Sequence, residues 1–166
     1  MAITLKPPKP LTYGELLEFS RRNPGYQFER SAQLEAWNRS RSSGLVFDSS
    51  TGFRMPDGAV LSPDPSWVRR DRWERLAPAD REGFAPLCPD AVFEIASGST
   101  TRLELQARMR PYITNGAQAA VLIDLQERRT EVYRPGGKVE VDQHPDAVSL
   151  DPPLPGFTLS LGSLLE

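Results

Sequence analysis

Prolines and glycines set the grain of this chain: sixteen and twelve of them are spread along its 166 residues rather than pooled. Proline fixes φ and removes a backbone donor, and glycine frees the backbone, so many short elements joined by tight turns are expected. The length suits one ordinary domain with its own core, such domains running to about 100–150 residues. Residues 1–10 read as a loose proline-rich arm and 11–166 as a single domain. A composition of 39% hydrophobic and 25% charged residues excludes a collagenous or wholly disordered chain. No apolar run approaches the roughly 18 residues of a bilayer crossing, and the start lacks a secretory pattern, so a cytoplasmic protein without membrane contact is expected. Cys88 alone can make no internal disulfide, and no cysteine cluster could hold zinc.

Local signals divide the chain further. Thr12 and Glu15 are spaced as a capping box and predict a helix over 12–22, ended by Asn23-Pro24-Gly25. A second short helix is expected from Ser31, with Leu34 and Trp37 on one side and Gly44 as its stop. Strands follow at 45–47, 53–55 and 59–61, the last two joined by Pro56-Asp57-Gly58 as a hairpin. A short strand at 66–68 leads into a charged helical excursion through 69–82, anchored by Trp73 and Leu76. Thr101 and Glu104 form another capping box, opening a helix whose stripe is Leu105, Met109, Tyr112 and Ile113 and whose end is Asn115-Gly116. Strands at 119–123, 130–133 and 138–141 come next, and Phe157, Leu159 and Leu161 alternate as a final edge strand. Hairpins followed by strand, helix and strand describe an α/β or α+β fold, a mixed sheet with one parallel crossover and helices packed on it.

Within this pattern Val92-Phe93-Glu94-Ile95 stands out, because a nearly continuous apolar run marks a strand buried on both faces. An ionised carboxylate there costs several kcal/mol, on the order of a buried unpaired charge, unless a cation or good hydrogen bonds compensate. Asp64, just past the 59–61 strand, is placed to point an acid at its neighbour; if the two strands adjoin, Asp64 and Glu94 could share a divalent ion. Hard oxygen ligands favour magnesium or manganese, which stabilise charge on a phosphate under attack. Asp90 is a weaker partner, since four residues along one strand span roughly 13 Å. The same spacing also allows Glu94 to pair with an arginine and Asp64 to cap a turn.

Asp48-Ser49-Ser50-Thr51-Gly52-Phe53, Leu61-Ser62-Pro63-Asp64, the stretch around Phe93-Glu94-Ile95, and the helix and strand carrying Tyr112, Asn115-Gly116 and Leu122-Ile123-Asp124 occur together in fixed order. In that order and spacing the chain resembles the Uma-two family, bacterial restriction endonuclease-like proteins of the PD-(D/E)XK superfamily, over most of 11–165. The resemblance implies a restriction-endonuclease-like mixed central sheet with flanking helices and β-hairpins. It also implies a magnesium or manganese ion held by Asp64, Glu94 and the carbonyl of Ile95, and hydrolysis of DNA phosphodiesters.

Three departures accompany it. The superfamily's usual lysine, two residues after the second acid, is Ala96 here. In the resembling family that lysine has moved to the following helix, and the matching residue is Arg108. Arginine stays protonated, so Arg108 can stabilise developing negative charge but cannot be a base. Family members also carry a glycine-rich segment where this chain passes directly from Arg30 to Ser31. These departures support an alternative, a catalytically inactive nuclease fold that binds nucleic acid or protein.

The remaining candidates are weaker. Of 20 basic residues only Lys6, Lys9 and Lys138 are lysines, and Lys138 is the sole remote substitute for the missing one. Arg69, Arg70, Arg72 and Arg75 could touch phosphates or form a solvated, salt-bridged face with Asp71 and Glu74. Net charge is -2, so any contact with DNA must be local. His144 falls in a polar loop. The edge at 157–161 is a candidate surface for a homodimer formed by strand addition.

Overall fold

The computed structural model describes residues 27–96 and 101–161. The expected arm at 1–10 and helix at 12–22 lie outside the described residues. The chain divides into two compact units, one running to Pro89 and the other starting at Asp90.

In the first unit α1 spans Gln27–Arg41. Among residues 31–41 of this helix Ser31, Leu34 and Asn38 are buried, spaced to line one face. Asn38 tolerates burial because its amide makes three of the four hydrogen bonds it can form. It donates to the Gly44 carbonyl at 2.9 Å and accepts from the Gly44 N–H at 3.1 Å and from Trp67 Nε1 at 3.0 Å. Gly44 therefore does not stop the helix as expected; it opens β1, Gly44–Phe47. A Cβ at Gly44 would stand 2.3 Å from the Trp67 ring, so glycine is required by close approach, and Ser42 takes the left-handed turn with φ 51°.

β1 pairs antiparallel with β4, Ser66–Arg69, with Val46 opposite Trp67. Between them lies the expected hairpin, β2 (Phe53–Arg54) against β3 (Val60–Leu61), turning through Gly58 at φ 92°. The charged excursion resolves into two helices, α2 (Arg70–Glu74) and α3 (Pro78–Glu82), with Pro78 restarting the helix. Trp73 is its buried anchor and packs on Phe47 with ring centroids 5.0 Å apart.

The second unit contains β5 (Ala91–Ala96), α4 (Arg102–Thr114) and β6 (Ala119–Asp124). β5 and β6 are parallel, as the crossover pattern requires. Thr101 caps α4 in a complete capping box with Glu104. β7 (Arg129–Tyr133) and β8 (Val139–Gln143) continue antiparallel, which makes the sheet mixed. β9 (Ala147–Ser149), which sequence reasoning missed, pairs with β10 (Thr158–Ser160) and buries Leu159 against Val148. No helix among the described residues is long and apolar enough to cross a membrane.

Candidate functional site

Each acid singled out from the sequence is held by local structure. Asp64 lies in a half-buried bend between β3 and β4. The loop before it is tied down by Asp48, whose Oδ1 accepts from the Ser50 N–H at 3.0 Å and from the Thr51 hydroxyl at 3.2 Å. Ser62 then donates to the Thr51 carbonyl at 2.8 Å, so the residues leading into Asp64 are anchored to the 48–51 turn.

Glu94 sits in the middle of β5 and is 3% exposed. The compensation such a carboxylate needs includes a hydroxyl: Tyr112 of α4 donates to Glu94 Oε1 at 2.8 Å. Its neighbour Ile95 is buried in the same strand. Arg108, one turn before Tyr112, is exposed, and its positive charge acts on Glu104. Glu104 lies below the ordinary glutamate range, chiefly because it accepts the Thr101 backbone N–H, and secondarily through the Thr101 hydroxyl and Arg108. Lys138 pairs with Glu140 at 2.9 Å.

A second buried acid went unnoticed in the sequence. Glu131 of β7 is 2% exposed and lies in one cross-strand row with Leu122 and Glu94, so the two acids project from the same sheet face, beneath α4. It accepts from Tyr133 Oη at 2.6 Å, Gln106 Nε2 at 2.7 Å and Arg129 Nε at 3.0 Å. Burial pushes its carboxyl up, but these three bonds and the Arg129 charge pull further and leave it below the usual glutamate value. Tyr133 is pushed up to about 12, first by burial and then by its bond to Glu131. The available signal was an acid inside Thr130-Glu131-Val132-Tyr133, a pattern like that around Glu94.

At the end of the same face Asp124 stands opposite Ala96 and 3.6 Å from Arg102 of α4. The helix is thus attached to the sheet by polar contacts at three levels, Arg102, Gln106 and Tyr112.

This frame has known counterparts. A family profile described as "Putative restriction endonuclease" matches residues 22–162, most of the chain. The chain belongs to the Uma-two family. The crystal structure of "a putative nuclease belonging to DUF820" from Anabaena variabilis is similar in fold. Its TM-score is 0.69 at 22% identity, over 84% of this chain and 77% of that one. No curated protein matches the chain. Within the Uma-two frame, Glu94, Tyr112 and the Asp64 turn are the parts on which a nuclease reading depends.

The divalent ion implied by the Uma-two resemblance can be tested against the donors present. Glu94 offers hard carboxylate oxygens, one of which, Oε1, also accepts the Tyr112 hydroxyl. Among the described residues no group of three or more His, Cys, Asp or Glu could hold an ion. Such a donor set fits magnesium, which is commonly held by one or two carboxylates and keeps several waters, and does not fit an all-protein cage.

Proposed function

We propose that this chain is a nuclease-like protein that hydrolyses DNA phosphodiesters in the cytoplasm with magnesium or manganese, Asp64, Glu94 and the Ile95 carbonyl serving as ligands. The observation that carries this reading is Glu94, an acid kept inside an otherwise apolar strand and oriented by the Tyr112 hydroxyl, in a chain of the Uma-two family. When bound, such an ion stabilises charge on the phosphate under attack. Tyr112 fixes the rotamer of the Glu94 carboxylate, and the apolar neighbours of Glu94 keep bulk water from it. Arg108, always protonated, lends positive charge to the phosphate and takes no proton.

Calorimetry with manganese on the wild type and on Glu94→Gln, beside plasmid nicking with manganese or with chelator, tests the reading. Binding and nicking in the wild type and loss of both in Glu94→Gln are expected. A wild type that binds no manganese and nicks nothing discards it.

A second reading, a nuclease fold kept as a non-catalytic nucleic-acid-binding or protein-interaction module, draws support from Ala96 at the usual lysine position and from Arg108 where the resembling family carries its lysine. It predicts duplex binding without nicking in the same experiment.

A further inference from the structure

Where α1 ends and α2 begins, arginines are held in an arrangement that chemistry at Glu94 does not use. The Arg70 N–H donates to the Ser43 carbonyl at 2.9 Å and its Nε donates to the Ser42 carbonyl at 2.8 Å. Those serines directly follow Arg41, the exposed last residue of α1, so the two arginines flank one short connection. The Arg41 guanidinium lies 5.7 Å from the centre of the Trp37 ring, and no carboxylate among the described residues pairs with it. Beyond Arg70, Arg69 and Arg75 share one acid: Arg69 Nη2 is 2.8 Å and Arg75 Nη2 is 3.5 Å from Asp71 Oδ2. Glu74 stands 3.8 Å from Arg70, at the limit of an ion pair. Asp71 and Glu74 thus serve three guanidiniums, and Arg41 meets no carboxylate among the described residues.

How Arg70 is anchored matters more than the count. A backbone carbonyl fixes the plane of a guanidinium without cancelling its charge, whereas a close carboxylate would do both. The remaining N–H groups stay available, and their planar fork matches phosphate oxygens. Several such groups spread over a surface suit a polymer with a phosphate at every nucleotide better than a single anion. We propose that Arg41, Arg70 and Arg75 form a surface that grips the phosphate backbone of duplex nucleic acid without reading its sequence. The proposal rests on the nuclease-like reading only for its choice of polyanion.

The test is fluorescence anisotropy of a short labelled DNA duplex, titrated against salt in the presence of chelator. The slope of log affinity on log salt should fall by about 1 for each of Arg41→Gln, Arg70→Gln and Arg75→Gln. Arg70→Lys, which keeps the charge and gives up the fork, should retain most of the slope, and Lys138→Gln should leave it unchanged. Thermal melts by circular dichroism establish that each variant is folded. Unchanged slopes in the three glutamine variants overturn the proposal, as does a wild type that binds phosphatidylglycerol vesicles but no duplex. Because chelator is present throughout, failure here is distinguishable from failure of the metal reading.

Discussion

Ser66 and Gly44 make opposite use of the interior, and each sets a measurable cost. The Ser66 side chain is fully buried and its hydroxyl has no hydrogen-bond partner. A buried polar group left unpaired costs about 1–3 kcal/mol, so Ser66→Ala should raise stability by about 1 kcal/mol or more in urea melts. A loss of stability would mean that the hydroxyl is satisfied in solution. Gly44→Ala should do the reverse, by roughly 1–3 kcal/mol, because its methyl would overlap the Trp67 indole, which is itself fixed by Asn38. An alanine variant as stable as wild type would show that the ring can move aside. Gly44 also marks a limit of sequence reading. Glycine after a helix suggests a left-handed stop, yet here its function is contact with a tryptophan 23 positions on, at Trp67, which no local pattern reveals.

Among the elements, α4 was the most legible and its docking the least. The Thr101–Glu104 box and the Leu105, Met109 and Tyr112 stripe are local signals, and the helix runs as they predict. The attachment of that helix to Glu94 and Glu131 depends on which residues of β5, β6 and β7 share a row, and register is fixed only when the sheet assembles. Glu131 gives this docking a pH signature. Its folded-state pKa is depressed, so the stability it contributes is present above the unfolded value of about 4.3 and is lost as pH falls through the folded one. Glu131→Gln should therefore be less stable than wild type at neutral pH, with the gap narrowing below about pH 4, near the ordinary glutamate value. Melts of the two proteins at neutral and acid pH decide it; a gap that stays constant would mean that the carboxylate charge contributes nothing to holding α4.

For the molecule as a whole, hairpins first and a strand, helix and strand after them were enough to foresee the mixed α/β architecture, because chain order and turn chemistry are written locally. Whether the chain hydrolyses anything is not written locally, since Glu94 with Tyr112 serves equally as a ligand site and as a satisfied buried acid. Ala96 offers a way to separate these. It lies on the same face as Glu94, two residues on, opposite Asp124, whose carboxylate is already 3.6 Å from the Arg102 guanidinium. A lysine at 96 would meet that carboxylate, which lowers the cost of burying its ammonium, and would set a compact cation beside Glu94 where arginine's planar group does not substitute. If the fold is a nuclease weakened by having no lysine at either 96 or 108, Ala96→Lys should raise manganese-dependent plasmid nicking at least tenfold, and the gain should vanish in Ala96→Lys with Glu94→Gln. If nicking stays at background while the variant melts like wild type and binds manganese, the lysine is not what catalysis lacks, and the non-catalytic reading takes its place.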